Sequence, residues 1–477
     1  MTVQTAAPPV VRDENRKIAH PTLIVAIGCF CGIVVALTQT MIVPLVPVLP
    51  TILDSSAADA SWAITATLLA AAVVTPISGR LGDMVGKRLV LLACLSSLLA
   101  GSLLCALSSS LVVVIAGRAL QGFAMGAIAL GISIMRDELP ADRIGPAVAR
   151  MSATMGVGGA IGLPLAAVIA EKASWHVLFW VSAGLALLCA AAVFFFVPES
   201  PIKTPGRFDV LGALGLAAGL VMLLLAITKG GDWGWTDGLT LGLVAGALAV
   251  FAVWGVWEWR NRSPLVDLRV SVRPQVLYTN VASVAIGFAM YGFSLIPTQI
   301  LMAPERTGYG MGLSMIQAGL AVAPSGLMMY LLSGTGARIS RARGPRTSLI
   351  VGILVLAAGY LLAIALRGAW WHLTLSATLI GAGIGIAYAA MPALIMGAVP
   401  VTETAAANGL NALMRSLGTS FSSAVVGAVL AHLTMPLGDH VLPSDHGFTV
   451  ALLISLGACA LALLLALAIP ARRTASA

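Results

Sequence analysis

Charged residues are scarce in this chain. Only 10% of its 477 residues are Asp, Glu, Lys or Arg, whereas 59% are hydrophobic, and the mean hydropathy is +0.99. Because soluble domains carry about 25% charged residues, this chain cannot cover a globular surface with polar groups. The composition excludes soluble enzymes, nucleic-acid-binding proteins and disordered scaffolds, and it indicates a polytopic membrane protein.

Several ligand-binding patterns are also absent. The chain has no Gly-x-x-x-x-Gly-Lys-Ser/Thr loop, so an ATP-driven pump is excluded and no nucleotide is expected. Cys29-x-Cys31 has no second pair at metal-ligand spacing, and all six cysteines fall in apolar runs. We therefore expect no metal site, cofactor or disulfide. An ion channel is disfavoured because the sequence contains no acidic ring or filter-like repeat.

The chain instead contains a series of apolar runs, each long enough for the roughly 20 residues that a membrane-spanning helix needs. We predict fourteen such helices, which form an all-α polytopic fold with both termini on one side of the membrane. The predicted spans are 22–43, 61–79, 89–107, 111–134, 146–170, 175–197, 210–228, 239–257, 276–300, 312–334, 346–366, 372–398, 409–432 and 447–469.

The distribution of Lys and Arg supports this count. Of the 27 basic residues, 22 fall in segments on the side of the termini, and four fall in the opposite loops, at Lys172, Lys229, Arg306 and Arg367. Only Arg118 is placed deep inside a span. Since cytoplasmic loops are enriched in Lys and Arg, we predict a cell-membrane protein with cytoplasmic termini.

A weak internal sequence similarity indicates a duplicated architecture. The loops at 79–88 and 337–346, which follow the second and tenth spans, place a Gly and a final Arg at matching offsets. We predict two six-helix halves, with a linker and two inserted helices between them. The predicted segments are a tail at 1–21, the first half at 22–200, the insertion at 201–273, the second half at 274–470 and a tail at 471–477.

The loop Gly79-x-Leu81-x-Asp83-x-x-Gly86-Lys87-Arg88 resembles the signature loop of the major facilitator superfamily, which joins the second and third helices of that fold. Other stretches resemble the fourteen-helix drug:proton antiporter branch of this family: Arg118 to Gly122, the run of Gly156, Gly158, Gly159, Gly162 and Pro164, and Asp232-Trp-Gly-Trp235. The resemblance implies the major facilitator fold, with helices arranged as six, two and six.

The resemblance also implies a conformational latch at Asp83, which would dock near Asn408 to Ala412, at the start of the thirteenth helix, in the outward-open state. An ionised carboxylate suits this role because it accepts hydrogen bonds from the unpaired N–H groups of a helix start. The same loop contains three glycines that permit a tight turn and two cations: Gly79, Gly82, Gly86, Lys87 and Arg88. The alternative is a solvated carboxylate that only sets topology with the two cations.

Arg118 is the second residue to which the resemblance gives a role, which is to tune a proton-carrying carboxylate. A buried charge in lipid is costly, so we expect Arg118 to have a partner. Gln121, one turn away, would line the same cavity. Alternatively, Arg118 hydrogen-bonds carbonyl groups of the first helix and Gln121 satisfies a neighbouring backbone group.

The chain departs from the family pattern in two spans. On the fifth, Pro164 is displaced by one residue, although the glycines still provide a smooth face for close packing. In the first, Thr38-Gln39-Thr40 stands where the antiporters carry an aspartate, and all 19 acids fall in loops or at span ends. The proton carrier is therefore unassigned, and its candidates are Asp83, Glu171, Glu258, His176, His372 and His432.

Uncharged polar residues within the spans are expected to face protein or water, and so to line a substrate cavity. This set comprises Thr38, Gln39, Thr40, Gln121, Asn280, Tyr291, Gln299, Gln317, Tyr388 and Asn411. Arg415, near the predicted start of the thirteenth helix, fits either a loop-adjacent charge or a cavity cation.

These features predict a transporter rather than an enzyme. We expect a secondary active exporter of amphipathic drugs or toxic small molecules, as in multidrug efflux and antibiotic resistance, driven by proton antiport and alternating access. Its expected partners are a small-molecule substrate, protons and the lipid bilayer, and the chain is expected to be a monomer. The alternatives are a dedicated exporter of one neutral or anionic metabolite, and a non-transporting membrane sensor.

Overall fold

A computed structural model describes residues 21–42, 45, 49–55, 57–60, 62–200, 202–203, 206–261, 263–437 and 440–470. Fourteen long helices make up most of this part of the chain, as the sequence predicts. Their bounds are α1 Pro21–Thr40, α2 Trp62–Val85, α3 Lys87–Leu107, α4 Leu111–Glu138, α5 Ala141–Lys172, α6 His176–Phe196, α7 Val210–Trp233, α8 Gly238–Arg260, α9 Pro274–Met302, α10 Met315–Arg343, α11 Pro345–Ala365, α12 Trp370–Met396, α13 Thr404–His432 and α14 Asp445–Ala468. Within the described residues, thirteen of them are apolar and long enough to cross a membrane, and the remaining one, α5, has 32 residues. The predicted tails lie outside the described residues, except for Pro21.

Side-chain caps explain where several helices begin. Asp209, before α7, accepts a hydrogen bond of 2.8 Å from the N–H of Gly212, and Asp237 caps α8 in the same way. Between α2 and α3 the backbone turns at Gly86, whose φ of 136° is a conformation that residues with a Cβ rarely adopt. The starts of these helices are therefore encoded locally.

Contacts between helix ends define two ends of the bundle. The basic end carries the connections after α2, α4, α6, α8, α10 and α12, and there Arg346 Nε donates to the carbonyl of Ala466 at 3.2 Å. The hairpin end carries the other connections, including the antiparallel strands β1, Thr434–Leu437, and β2, His440–Pro443. There Arg367 donates to the hydroxyl of Thr449 at 2.8 Å.

The first six helices pack on one another, as do the last six, and the two groups meet mainly where α2 contacts α13 and α5 contacts α10. Small residues allow the closest approaches: a Cβ on Gly352 of α11 would lie 2.6 Å from the backbone N of Ala387 on α12. Helix α7 packs against both α2 and α13 through Leu216, Leu220 and Leu224. Helix α8 packs mainly on α7 and is largely exposed.

Two details correct the sequence prediction. Helix α7 continues to Trp233 and ends at Gly234, whose φ is 103°, so Lys229 lies inside the helix and not in a loop. Lys229 is only 2% exposed, and its ammonium lies 5.4 Å from the ring centre of Trp62. Helix α13 begins at Thr404 rather than at 409, directly after the 3-10 turn Val401–Glu403. The all-α fold is confirmed, and the only strands in the described part of the chain are the short pair β1 and β2 in the last outer connection.

Candidate functional site

The carboxylate of Asp83 joins the first six helices to the last six at the basic end. Asp83 lies in the last turn of α2 and is 1% exposed. Its Oδ2 accepts a hydrogen bond from the N–H of Ala406 at 3.0 Å, and its Oδ1 accepts one from the N–H of Ala405 at 3.4 Å. Both N–H groups belong to the first turn of α13, where they have no partner within the helix and where the helix dipole favours a negative charge. The contact lies a turn earlier than the target predicted at 408–412, because α13 begins five residues earlier.

A buried ammonium compensates the charge of Asp83. The Nζ of Lys87, at the start of α3, lies 3.5 Å from Asp83 Oδ1 and also donates to Asp137 Oδ2 at the end of α4. The hydroxyl of Ser200 donates to the same oxygen of Asp137. Sequence reasoning did not select Asp137, although the charged run Arg136-Asp137-Glu138 that ends the fourth span could have identified it.

The three glycines of this loop have different roles, and only one of them forms the predicted turn. Gly79 and Gly82 lie inside α2, which continues to Val85. A Cβ on Gly79 would lie 2.5 Å from the carbonyl oxygen of Ala405, so this glycine permits contact between α2 and α13. Gly86 forms the turn, and beside it the backbone N–H of Arg88 donates to the Glu199 carboxylate at 3.2 Å.

A second connection closes the basic end. Arg136, near the end of α4, donates through Nη1 to the hydroxyl of Thr404 at the start of α13. Its Nη2 donates to the carbonyl of Met396, at the end of α12, over 3.1 Å. Together with Asp83, Arg136 therefore ties α2 and α4 to α12 and α13.

Arg118 and Gln121 form a buried polar cluster in the first six helices. Arg118 is 1% exposed, and its guanidinium donates to the carbonyls of Ala63 at 3.2 Å and Thr38 at 3.4 Å, and to Gln121 Oε1 at 2.6 Å. Gln121 Nε2 donates in turn to the hydroxyl of Ser102 at 2.8 Å. In the part of the chain that the structure describes, no carboxylate forms an ion pair with Arg118. The geometry is that of a guanidinium held by carbonyl groups of α1 and α2.

The small residues of α5 contact two helices, one in each group of six. On one side they face α1: a Cβ on Gly158 would lie 2.5 Å from the Cβ of Ala36, and Gly159 and Gly162 face Thr40. On the other side Gly156 contacts Met329 of α10, and Pro164 lies 3.3 Å from the Cβ position of Gly319. The run predicted as a packing face therefore also forms a contact between the two groups of helices.

A second polar cluster lies in the last six helices. Asn411 of α13 donates through Nδ2 to Asn280 Oδ1 at 2.9 Å and to the Ser283 hydroxyl at 2.8 Å, both on α9. Its Oδ1 accepts a hydrogen bond of 2.7 Å from Arg415 Nη1. The guanidinium carbon of Arg415 lies 5.0 Å from the ring centre of Tyr388 on α12. Because α13 begins at Thr404, Arg415 lies within the span and not beside a loop, so it is a second deeply placed cation.

The side chains of the remaining predicted cavity residues join neither cluster, although the backbone carbonyl of Thr38 accepts a hydrogen bond from Arg118. Tyr291 contacts Ser423 at 3.3 Å, and Gln299 is half-buried on α9. Gln317 is exposed at the start of α10, where it forms a capping box with Ser314. In the first span, Thr38 and Thr40 bond to carbonyls of their own helix, whereas Gln39 Nε2 is buried without a hydrogen-bond partner among the described residues.

The other candidate proton carriers are dispersed. His176, His372 and His432 lie at the hairpin end, where His176 contacts Ser109 at 3.2 Å. Glu258 is buried near the end of α8, outside both groups of six helices. The side chain of Glu171 lies outside the described residues.

A sequence model of the Major Facilitator Superfamily matches residues 28–423, and a second match covers 277–477. A tetracenomycin C resistance and export protein of Streptomyces glaucescens is 28% identical over 449 residues, which are 88% of this chain and 79% of that protein. A putative multidrug resistance protein of Salmonella paratyphi B, MdtD, is 28% identical over 411 residues, 85% of each chain. An uncharacterized MFS-type transporter of Mycobacterium tuberculosis is 28% identical over 90% of this chain, which spans only 62% of that relative's length.

Solved structures show the same fold. The human organic anion transporter MFSD10 has a TM-score of 0.66 at 17% identity, covering 94% of this chain and 99% of its own. The proton:xylose symporter XylE has a TM-score of 0.64 at 14% identity, covering 93% of this chain and 95% of its own. At these identities the likeness concerns the fold alone.

Proposed function

Because the chain belongs to the major facilitator superfamily, we propose that it is a secondary active exporter of amphipathic small molecules that exchanges them for protons. Its relatives include a tetracenomycin C resistance and export protein and a putative multidrug resistance protein, which supports export of drug-like compounds. The chain acts as a monomer, since each copy contains both groups of six helices.

The contact of Asp83 with the start of α13 carries this proposal. It is formed between the two groups of helices, at one end of the bundle, by a carboxylate and by first-turn N–H groups, which lack a partner within their own helix. Hydrogen bonds to a charged group contribute about 1.5–3 kcal/mol each. Two such bonds therefore stabilise the conformation that is closed at the basic end by a few kcal/mol, relative to the open one. A bias of this size is one that substrate or proton binding can reverse.

Alternating access follows from the position of these contacts. The connections of Asp83 and Arg136 lie at the basic end, whereas the contact of α5 with α10 lies along the spans. When the basic end opens, α2 and α4 separate from α12 and α13. The two groups of helices rock about their interior contacts, and the interior becomes exposed on the side of the membrane that the basic end faces. The basic end faces the cytoplasm of the cell, because its loops carry most of the Lys and Arg.

The test is proton flux in proteoliposomes that contain the purified chain and an internal pH dye. Lipophilic cations, neutral compounds and anions are added in turn, and an exporter that exchanges substrate for protons gives substrate-triggered proton movement. We expect Asp83→Asn to slow this movement at least tenfold, because the amide lacks the charge that holds α13. Asp142→Asn, an exposed acid at the same end on α5, is the matched control and is expected to retain the normal rate.

Two results would contradict the proposal. Uptake of a labelled compound without proton movement would contradict proton antiport and would indicate facilitated diffusion or coupling to another ion. A normal rate in Asp83→Asn would remove the contact with α13 from the transport cycle.

A further inference from the structure

Arg415 is a buried cation without a counter-charge among the described residues. Its side chain is 8% exposed, and no carboxylate in the described part of the chain forms an ion pair with it. A guanidinium has five N–H donors, and within the described residues this one makes a single hydrogen bond, to Asn411 Oδ1. An unpaired charge is costly to bury in a membrane, so such a residue is a candidate for ligand binding.

The surroundings of Arg415 hold it in one orientation. Asn411 is fixed because its amide donates to both Asn280 and Ser283, which directs its oxygen at Arg415. The ring of Tyr388 covers one face of the guanidinium, and the Tyr388 hydroxyl lies 3.2 Å from Met290 Sδ. The remaining N–H donors of Arg415 are accessible, because no Arg415 nitrogen belongs to the fully buried atoms that lack a hydrogen-bond partner.

Arg118 shows what a structural arginine looks like in the same molecule. Its donors reach three oxygens, on α1, α2 and α4, and it is almost completely buried. Within the described residues Arg415 has one such oxygen, and it is more exposed than Arg118, so most of its N–H donors have no acceptor from the protein. The difference points to a ligand that supplies the missing acceptors.

The location of Arg415 suits a transported ligand. It lies eleven residues after the start of α13, or about 16 Å at 1.5 Å per residue, close to the middle of this 29-residue helix. The same helix begins with the N–H groups that bind Asp83, so a ligand on Arg415 and the contact at the basic end act on one element. In contrast, no acidic residue lies near the middle of any of the described long helices.

We propose that the exported compound carries an anionic group, a carboxylate or sulfonate, and that Arg415 binds it. This inference rests on the proposed function, and it names the substrate class. The planar guanidinium matches the two oxygens of such a group, which it binds with two parallel hydrogen bonds. Tyr388 and Met290 provide apolar surface beside the charge, which fits an aromatic body attached to the anionic group.

The test compares three naphthalenes whose single substituent is anionic, neutral or cationic: naphthalene-1-sulfonate, naphthalene-1-sulfonamide and trimethyl-1-naphthylammonium. Uptake of each radiolabelled compound is measured in proteoliposomes containing the full chain, with the internal pH recorded in parallel. We expect uptake of the sulfonate, a loss of at least tenfold in Arg415→Gln, and a smaller loss in Arg415→Lys, which keeps the charge but not the planar fork. Arg367→Gln, which removes a guanidinium that pairs with Asp445 at the hairpin end, is expected to stay within twofold.

The outcomes separate this inference from the proposed function. Sulfonate uptake that depends on Arg415 but moves no protons supports the anion site and rejects antiport. Proton-coupled uptake of the ammonium compound without the sulfonate supports antiport and overturns the anion site. The anion site is also overturned if the sulfonate is not taken up, or if Arg415→Gln and Arg415→Lys both transport it within twofold of the unaltered chain.

Discussion

Arg118 donates hydrogen bonds to three oxygen atoms on three helices, and it therefore stabilises the packing of the first six helices. The carbonyls of Thr38 and Ala63 and the amide of Gln121 are all buried, so each would lose a donor without finding water. Within the described residues, only the Ala63 carbonyl would keep a side-chain donor, the Thr67 hydroxyl. The cost of leaving buried acceptors unpaired exceeds the gain from forming an average hydrogen bond.

We therefore expect Arg118→Gln to lower the free energy of unfolding by roughly 2–3 kcal/mol, because the shorter side chain cannot reach all three oxygens. The measurement is denaturant unfolding of the purified protein in detergent micelles. Arg415→Gln is the comparison, and it is expected to change stability little, since it removes one hydrogen bond together with an unpaired buried charge. Equal stability of Arg118→Gln and the unaltered chain would contradict this account.

The two arginines also show how far single residues can be interpreted from the sequence. Arg118 is recognisable because it stands inside a long apolar run and within a motif. For Arg415 the sequence predicts a position near a helix start, because the apolar pattern of α13 is weak between Thr404 and Gly409. The true start is capped by Asp83, a residue more than 300 positions away. No local pattern encodes such a cap.

Helix α5 packs against α1 on one side and α10 on the other, and its contact with α10 joins the two groups of helices. The closest approach is at Gly326 of α10, where a Cβ would lie 2.5 Å from the Cβ of Ala160 and closer still to the carbonyl of Gly156. Backbones can approach this closely only where both helices carry small residues. The small-residue run on α5 was readable in the sequence, but its partners were not, because a glycine face carries no information about which helix it meets.

We expect Gly326→Val to stop transport and to destabilise the protein by about 1–3 kcal/mol, the usual cost of overpacking a close contact. Gly334→Val, two turns further along α10, is the matched control, because a Cβ there has no neighbour within 4 Å. Substrate-driven proton flux and unfolding in detergent are measured for both variants. Normal transport by Gly326→Val, or equal damage by the control, would show that the contact between α5 and α10 is dispensable.

The whole molecule has two chemically different ends, one rich in Lys and Arg and connected through Asp83 and Arg136, the other carrying the β-hairpin. The six native cysteines are all buried, so introduced cysteines can report on each end separately. Ala141 is exposed at the basic end and Gly368 at the hairpin end, where a Cβ on Gly368 would have no neighbour within 4 Å.

In intact cells we expect a membrane-impermeant maleimide to label Gly368→Cys and not Ala141→Cys. Inside-out membrane vesicles should show the opposite pattern, because positively charged loops remain in the cytoplasm. The unaltered chain is the control and should not be labelled in either preparation. Labelling of Ala141→Cys in intact cells would invert the orientation, and with it the proposed direction of export.

The amino-acid sequence by itself determined the class of the protein, the number of long helices and the approximate position of each one. These properties depend on local quantities: apolar length, turn residues such as Gly86, and the placement of charge between spans. The Asp83 loop and Arg118 were recognisable for the same reason, since each is a short contiguous pattern. Only the tertiary structure decided which groups meet, because the carbonyls of Thr38 and Ala63 that bind Arg118, the N–H groups bound by Asp83 and the Tyr388 ring beside Arg415 come from other helices. The unmatched charge of Arg415 could be recognised only after those helices were in place.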